Sequence, residues 1–337
     1  MTMPSPQGAT IFGCDGLALL PVEAAFFRDA APFGFILFAR NVDTPDQLRR
    51  LTGDLRNAVG RDCIITIDQE GGRVQRLRGP VWREWLPPLD TVARATDPAR
   101  AMWLQSRLIA HELRDVGIDS NCAPCGDIAS DLTHPFLKNR CYGTDAATVS
   151  GIARAVADGL LAGGVLPIIK HLPGHGRATL DTHHALPTVT ETPAALHTTD
   201  FAPFRALADL PMAMTAHIVF SAYDTQPATQ SPAMVQVIRQ DIGFDGLLIT
   251  DDLNMQALSG TVAERAAKSI AAGCDISLHC KGSIAEYAAT AAAVGQMPPA
   301  AQARADAAVL ARITPPTVDI SALEAEFAGL MGAEAHG

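Results

Sequence analysis

The chain has 337 residues and a mass of 35.5 kDa, so it is long enough to bury a large core. Its formal net charge is -10, its pI is about 5.4 and its 26 lysines and arginines are scattered, which argues against nucleic acid as a partner. A secretory leader and a run of 18 apolar residues are both absent from the sequence, which predicts a cytoplasmic protein with no membrane partner.

Apolar segments of strand length alternate with amphipathic segments of helix length, a pattern typical of a parallel sheet covered by helices. Apolar residues at spacings of three and four predict helices in TPDQLRRLTGDLRNAV, PARAMWLQSRLIAHELRDV and ATVSGIARAVADGLLAG. The candidate strands number eight, as in a closed barrel. They are ATIFG near residue 9, GFILFA near 34, DCIITID near 62, GIDSNCAP near 117, GVLPIIKH near 164, PMAMTAHIVF near 211, GLLITDD near 246 and CDISLHC near 274.

No Ser/Gly-rich linker, low-complexity tract or block of like charges divides the sequence. We therefore predict one catalytic domain over residues 1–337, with alanine-rich helices after about residue 283. The alternation and the strand count predict an α/β fold, a single (β/α)8 barrel of the TIM type. Reactive groups of such barrels stand at the carboxyl ends of strands, and ionisable residues occupy several of those ends here.

Two of the strand ends carry charged residues in the first half of the chain. Asp68 closes the third strand and precedes Arg73 and Arg76; its carboxylate can accept hydrogen bonds from sugar hydroxyls or cap the next turn. Lys170 and His171 end the fifth strand, where alternation in an extended chain should send their side chains to opposite sides, although the start of the loop could bring both to a ligand. Lys170 by itself is compatible with ligand binding, with a Schiff-base nucleophile or with an ion pair.

The fifth strand leads into a glycine-broken loop that contains Asp181, His183 and His184. A carboxylate two residues from a histidine can accept from one imidazole nitrogen while the other nitrogen faces a substrate, which makes an acid/base. The alternative is that Asp181 and His183 only close the loop. These histidines, with His171 and His175, resemble a metal cluster, but no HExxH or comparable spacing is present.

Two adjacent carboxylates, Asp251 and Asp252, end the seventh strand. Alternation predicts that only one of them faces the barrel interior. Asp251 is placed to act as a nucleophile that hydrogen bonds and nearby cations keep ionised, whereas Asp252 could cap a helix beginning near Asn254. The alternative is a pair of solvated loop carboxylates.

The seven cysteines are an odd number, and several lie inside apolar segments, which favours buried, reduced thiols over disulfides. Cys122 and Cys125 form a single CxxC with no second Cys/His pair at ligand spacing. We therefore predict that the protein uses no metal and no cofactor.

Six motifs follow one another along most of the chain: GFILFARNVDTPDQL, IDQEGGRVQRL, GIDSNCAP, KHLPGHG with DTHHALP, MTAHIVF, and FDGLLITDDLNMQAL. In this order they resemble the bacterial β-N-acetylglucosaminidases of glycoside hydrolase family 3, the single-domain enzymes of cell-wall recycling. The resemblance implies a barrel fold, in agreement with the eight candidate strands.

The resemblance also implies roles for matching positions. Asp251 matches a nucleophile that forms a covalent glycosyl intermediate, His183 matches a histidine acid/base, and Asp181 matches its partner. Arg140, in KNRCYGTD, enters through the resemblance alone, because a lone arginine before a helix is ordinarily a surface residue. The implied sugar-binding set is Asp68, Arg76, Arg140, Lys170 and His171.

The implied substrate is a small glycan, a muropeptide fragment that ends in β-linked N-acetylglucosamine and is cleaved with retention. Family β-glucosidases generally take their acid/base from an additional domain, which we expect this chain to lack, and this favours an N-acetylhexosaminidase. The alternatives are a Schiff-base aldolase that uses Lys170 and a non-catalytic sugar-binding barrel. A further alternative is substrate-assisted cleavage, in which Asp251 and Asp252 orient the 2-acetamido group as the nucleophile.

Overall fold

The computed structural model describes residues 7–180 and 185–332. In these residues a closed barrel of parallel strands has each strand paired with the next along the chain, and the last paired with the first. The predicted α/β barrel is therefore confirmed. Its strands are β1 Gly8–Phe12, β2 Pro32–Leu37, β3 Ile64–Ile67, β4 Ser120–Asn121, β5 Leu166–Leu172, β6 Met212–Thr215, β7 Leu247–Asp252 and β8 Ile276–His279.

Helices connect the strands, and the three predicted from periodicity are confirmed as the three longest in the described residues. Thr44, Asp97 and Asp145 cap them by accepting a backbone N–H three residues on. No described helix is both long and apolar enough to span a bilayer. The α-helices are Pro21–Ala30, Pro45–Val59, Pro88–Arg94, Pro98–Asp115, Pro135–Lys138, Ala146–Ala162, Pro193–Thr198, Ala202–Ala206, Pro232–Gln236, Val262–Ala272, Ile284–Val294, Pro299–Leu310 and Ile320–Leu330; 3-10 turns cover Ala39–Asn41 and Ala228–Gln230, and a π-helix covers Val237–Asp241.

Neighbouring strand residues enter different apolar clusters, as the pleat of a strand requires. Ile36 and Ile64 belong to the cluster that fills the barrel, whereas Leu37 and Ile65 belong to the layer between strands and helices. Both faces of the strands are thus buried, which explains why the strands read as continuous apolar runs. Alanines of helix Pro299–Leu310 complete the cluster that fills the barrel.

Ion pairs tie the C-terminal part of the chain to the amino ends of the strands. Asp119 immediately precedes β4, and its carboxylate receives Arg56 at 3.0 Å and also Arg312. Asp275 immediately precedes β8 and receives Arg304 at 2.6 Å. These contacts close the amino end of the barrel and leave the carboxyl end for a pocket.

The sixth predicted strand, PMAMTAHIVF, is longer than the strand in the structure. Only Met212–Thr215 lies in the barrel wall, while Val219–Phe220 pairs with Thr188–Val189 in a separate two-stranded sheet. An apolar run predicts burial, but it does not tell which sheet the buried residues join.

Candidate active site

A cavity of about 250 Å³ opens at the carboxyl ends of the barrel strands. Its apolar walls include Ile36, Met214 and Leu278 from the cluster that fills the barrel. The structure brings six of the predicted site residues to this cavity, although they come from distant parts of the sequence. These six are Asp68, Arg76, Arg140, Lys170, His171 and Asp251.

The two other predicted site residues, Asp181 and His183, lie outside the described residues, as does His184. Their roles therefore stay predictions. His175, just before them, lines the cavity with its ring centroid 5.3 Å from that of His171. Burial, and then the proximity of His171, lower the pKa of His175 to about 4, so its ring is neutral near pH 7.

A buried ionic cluster forms one wall of the cavity. Lys170 Nζ lies 2.9 Å from Asp68 Oδ1 and 2.5 Å from Glu70 Oε1. The Nε and Nη2 groups of Arg140 donate hydrogen bonds to the two carboxylate oxygens of Glu70, at 2.9 and 2.8 Å. Burial opposes ionisation of Glu70, but Arg140 and Lys170 outweigh it and lower its pKa to about 2. The cluster therefore keeps its charges at neutral pH.

The carboxylate of Asp68 pairs with positively charged side chains and does not cap a turn. Its Oδ2 lies 3.0 Å from Arg76, and although burial opposes ionisation, Lys170 and Arg76 hold its pKa well below its usual range. The turn that follows is held by Gln69, whose Oε1 accepts the backbone N–H groups of Arg76 and Leu77. The carboxylate of Asp68 thus remains available at the cavity.

The electrostatics of Lys170 argue against the Schiff-base alternative. Burial opposes its positive charge, but Asp68 and Glu70 outweigh burial and raise its pKa above the ordinary value. A protonated ammonium has no lone pair with which to attack a carbonyl carbon. Lys170 is therefore suited to donate hydrogen bonds to a ligand.

Lys170 and His171 both line the cavity, so they do not diverge as in a regular extended strand, and the start of the loop brings both to the site. Strict alternation of side chains holds only where the strand pairing is regular. The pairing of β5 with β6 shifts register between Ile169 and Leu172, which spans both residues.

His171 is oriented by Asp127, which the sequence reasoning did not identify. Its Nδ1 lies 2.7 Å from Asp127 Oδ2, and its Nε2 lies 3.5 Å from Arg140. Burial opposes ionisation of Asp127, but His171 outweighs it and lowers its pKa far below the usual range. An ionised carboxylate only accepts, so His171 Nδ1 donates and Nε2 is left toward the cavity. The position of Asp127 just beyond the fourth strand was the available signal.

Asp127, with Cys125 and His171, also offers a set of metal-ligand atoms in the described residues, all within 4.8 Å of one another. Asp127 Oδ2 accepts Cys125 Sγ at 3.3 Å and His171 Nδ1 at 2.7 Å, so a metal would displace both hydrogen atoms. The Cys141 thiol and burial raise the pKa of Cys125 well above its ordinary value. The three side chains thus form a hydrogen-bonded set that orients His171.

Asp251 and Asp252 both line the cavity and both are half-buried, so the prediction that only one faces inward is wrong. The pairing of β7 with β8 is irregular up to the pair of Asp252 with Leu278. Burial opposes ionisation of Asp251, but His171 and the Asp252 N–H help to outweigh it, and the pKa of Asp251 is lowered. Burial raises the pKa of Asp252 instead. Asp251 is therefore the carboxylate that stays ionised most readily.

Asp252 does not cap a helix near Asn254, as the sequence suggested. Its Oδ1 accepts the backbone N–H groups of Asn254 at 3.0 Å and Cys280 at 3.3 Å, which closes a turn. The next helix begins at Val262, where Thr261 and Glu264 form a capping box. The helix is therefore capped by Thr261 and not by Asp252.

A barrel that joins an ionised aspartate to charged hydrogen-bond donors at its carboxyl end has the arrangement of a glycoside hydrolase. Residues 25–314 match the profile of the glycosyl hydrolase family 3 N-terminal domain. The chain belongs to this family and is a glycoside hydrolase.

Known relatives agree with this assignment. A β-hexosaminidase of Bordetella avium (strain 197N) is 36% identical over 285 residues, which cover 82% of this chain and 81% of the relative. The structure of NagZ from Neisseria gonorrhoeae in complex with N-trifluoroacetyl-D-glucosamine is similar with a TM-score of 0.85 at 30% identity, covering 97% of this chain and 99% of that one. A family 3 β-N-acetylglucosaminidase from Paenibacillus sp. str. FPU-7 also has a TM-score of 0.85, at 28% identity over 95% of this chain, which spans 66% of that protein.

Proposed function

We propose that the protein is a retaining exo-β-N-acetylglucosaminidase that acts in the cytoplasm on peptidoglycan fragments. Its substrate is terminal β-linked N-acetylglucosamine on anhydro-N-acetylmuramic acid, with or without a peptide. The β-hexosaminidase relative and the N-trifluoroacetyl-D-glucosamine complex support an amino sugar as the ligand. The cavity of about 250 Å³ is just smaller than the range of about 300–1,000 Å³ for drug-sized ligands, which suits one sugar ring.

The observation that carries the proposal is the ionised carboxylate of Asp251 at the wall of the cavity. In the first step, an Asp251 oxygen forms an ester bond with the anomeric carbon while the glycosidic bond breaks. The departing oxygen takes a proton from His183, which Asp181 holds in the required tautomer. The resemblance to the family supplies these two roles.

In the second step a water molecule attacks the anomeric carbon. His183, now neutral, takes a proton from the water as the ester bond breaks, and Asp251 leaves as a carboxylate. Because each displacement inverts the anomeric carbon, the sugar is released with its β configuration retained. A histidine here takes the place of the second carboxylate that most retaining glycosidases use.

The ionic cluster supplies the contacts to the sugar hydroxyls. Lys170, Arg140 and Arg76 are donors, and Asp68 is a charged acceptor. Contacts of this kind accelerate the reaction only if they strengthen as the ring flattens toward the oxocarbenium-like transition state. Pairing of Lys170 and Arg76 with Asp68, and of Arg140 with Glu70, holds them in place before substrate arrives, which lowers the cost of reorganisation.

Labelling with a 5-fluoro glycosyl fluoride of N-acetylglucosamine tests the nucleophile. We expect a covalent adduct on the peptide that contains Asp251, found by mass spectrometry, and retained configuration by NMR of the first product. Asp252 also faces the cavity, so the substrate-assisted mechanism makes a definite counter-prediction. It predicts no adduct together with strong inhibition by an N-acetylglucosamine thiazoline, and that outcome would overturn the proposal.

Two variants test the roles of the carboxylate and the imidazole. We expect Asp251→Asn and His183→Ala to lower kcat/KM for an aryl N-acetyl-β-glucosaminide by at least about 100-fold, the lower range for a lost acid/base group. Asp245→Asn changes an exposed carboxylate before the same strand and should leave the rate unchanged. Wild-type turnover in folded Asp251→Asn would contradict the mechanism.

Product analysis with purified muropeptide fragments tests the substrate. We expect release of free N-acetylglucosamine and the matching anhydro-muropeptide. Sugar binding without turnover would favour the non-catalytic barrel, and trapping of a carbonyl substrate on Lys170 by borohydride would favour the aldolase. A glycosyl phosphate formed in phosphate buffer would replace hydrolysis with phosphorolysis.

A further inference from the structure

His217 is a buried histidine in the motif MTAHIVF that neither the cavity lining nor the proposed chemistry uses. Its Nε2 lies 3.1 Å from the carbonyl oxygen of Asp252, and its Nδ1 lies 2.8 Å from Thr229 Oγ1. A carbonyl oxygen only accepts, so Nε2 carries a hydrogen atom and donates it. Burial lowers the pKa of His217, so the ring is neutral and Nδ1 accepts from the Thr229 hydroxyl.

The hydroxyl of Thr229 is itself held, because Thr215 Oγ1 lies 2.8 Å away at the end of β6. The three side chains are fully buried, so no water competes for these hydrogen bonds. Hydrogen bonds at both ring nitrogens therefore fix the orientation of the His217 ring between Thr229 and the Asp252 carbonyl.

The residue that His217 contacts is bonded at every polar backbone group. The Asp252 carbonyl accepts from His217 and from the Met255 N–H, and its side chain accepts the N–H groups of Asn254 and Cys280. Its own N–H donates to Asp251 Oδ1 at 2.8 Å. The N–H that donates to Asp251 and the carbonyl that His217 holds belong to the two peptide groups on either side of the Asp252 Cα, so the bonds to Asp252 restrict the direction of that N–H.

We propose that His217 is a positioning residue for Asp251. By holding the Asp252 carbonyl, it fixes the N–H that orients the attacking oxygen toward the anomeric carbon. This inference rests on the proposed function, in which Asp251 is the nucleophile. A small displacement matters here because the reacting atoms must meet at about 3–3.5 Å with aligned orbitals.

The chain contains a matched control at His279, the last residue of β8. His279 is also buried, with Nδ1 3.0 Å from Thr290 Oγ1 and Nε2 3.1 Å from the Lys281 carbonyl oxygen. Burial lowers its pKa to about 4. It packs against Tyr287 and does not line the cavity. Replacing either histidine removes the same kinds of hydrogen bond, but only His217 is linked to Asp251.

The experiment replaces each histidine with phenylalanine and with glutamine and measures two quantities. One is the rate constant for covalent inactivation by the 5-fluoro glycosyl fluoride, and the other is kcat/KM for a 2,4-dinitrophenyl glycoside, which reports formation of the glycosyl ester. This leaving group departs without a proton, so both readouts report the attack by Asp251 and do not depend on the acid. Thermal denaturation checks that each variant is folded.

We expect His217→Phe to lower the inactivation rate constant and kcat/KM by about 100-fold, the effect of a displacement of about 1 Å. His217→Gln should recover most of the rate, because its amide can donate to the Asp252 carbonyl and accept from Thr229. Both His279 variants should stay within about twofold of the wild type, because the hydrogen bonds of this ring go to Thr290 and Lys281 and not to Asp252.

Two outcomes would overturn the inference. One is a folded His217→Phe with the wild-type inactivation rate. The other is an equal loss of rate in His279→Phe, because the effect would then follow general stability. The adduct separates these outcomes from failure of the proposed function. A label on a residue other than Asp251 rejects that function, whereas a label on Asp251 at an unchanged rate in His217→Phe rejects only the role of His217.

Discussion

The two ends of the barrel each carry an ionic cluster built around two carboxylates, in different surroundings. The carboxyl-end cluster consists of Asp68, Glu70, Arg140 and Lys170, and the side chains of Glu70 and Lys170 are only 1% and 2% exposed. Three of its four members line the cavity, so its charges face the space for a ligand.

The amino-end cluster consists of Asp62, Asp119, Arg56 and Arg312. Asp119 is buried, but the side chain of Asp62 is 64% exposed. This cluster joins the start of β4 to the C-terminal part of the chain. The two clusters therefore have different roles: the carboxyl-end cluster presents charged groups to a ligand, and the amino-end cluster closes the fold.

The protonation of the two clusters differs accordingly. The pKa of Glu70 falls to about 2 because Arg140 and Lys170 outweigh burial. The pKa of Asp119 rises because burial outweighs Arg56 and Arg312. The same pair of effects thus gives opposite results where the exposure of the cations differs: Arg140 and Lys170 are 7% and 2% exposed, whereas Arg56 and Arg312 are 20% and 16% exposed.

The largest expected effect is at the carboxyl end, in Glu70→Gln. Removal of this charge leaves Arg140 and Lys170 buried with fewer partners, and breaking a buried ion pair costs about 3–5 kcal/mol. We expect that loss in urea denaturation, together with a fall in kcat/KM of about 100-fold as the two donors move. Asp62→Asn, at the exposed edge of the amino-end cluster, should cost at most about 1 kcal/mol. A wild-type kcat/KM in Glu70→Gln would contradict the assigned role of the cluster.

The next effect separates stability from activity. Asp119→Asn removes a buried carboxylate that accepts Arg56 and the Ile65 N–H, so we expect a loss of about 1–3 kcal/mol in the free energy of unfolding. Because Asp119 lies at the opposite end from the cavity, kcat/KM measured well below the melting temperature should not change. A parallel fall in kcat/KM would show that the two ends are coupled.

Acid titration distinguishes the two clusters, because Glu70 and Asp119 change the stability in opposite directions as the pH falls. A carboxyl group whose pKa is lower in the folded state makes stability fall as the pH falls. The contribution of Glu70 should be complete above about pH 4.5 and lost as the pH approaches about 2. Asp119, with its raised pKa, acts in the opposite direction, and its unfavourable burial is relieved as the pH falls.

Free energies of unfolding measured by urea from about pH 6 to about pH 3 test this sign difference. We expect the pH slope of stability to be smaller than in the wild type for Glu70→Gln and larger for Asp119→Asn. Identical slopes in the three proteins would refute the opposite titration of the two ends.

The smallest effect is expected at another amino-end pair. Arg304→Gln removes one of two arginines from Asp275, which keeps Arg239 at 2.7 Å. The Arg304 side chain is 27% exposed, so the loss should be at most about 1 kcal/mol. The melting temperature measures it, and a loss as large as that of Glu70→Gln would remove the contrast between the ends.

The sequence predicted the barrel well because apolar runs and helical periodicity are local properties. It also placed Asp68, Lys170 and Asp251 at strand ends, and parallel strands bring those ends to one rim. The local rule of alternation did not hold where it depends on regular pairing. Lys170 with His171, and Asp251 with Asp252, share one cavity because the strand register is irregular beside them.

Partners across the barrel could not be read from local patterns. Glu70 stands near Asp68 in the same motif, yet its pairing with Arg140 depends on how β3 and the segment after β4 meet. Asp127 follows a strand end, but neither Asp127 nor His217 has a local feature that identifies its partner. Their relevance comes from one contact each, with His171 and with the Asp252 carbonyl.

The amino-acid sequence by itself determined the strands, the helices and the rim at which the charged residues gather, because these follow from hydrophobic periodicity and chain direction. Tertiary structure alone decided which charges are paired, which carboxylate is ionised and which histidine holds which backbone group. The reason is physical: protonation and orientation depend on burial and on atoms within a few ångströms, and those atoms come from distant parts of the chain.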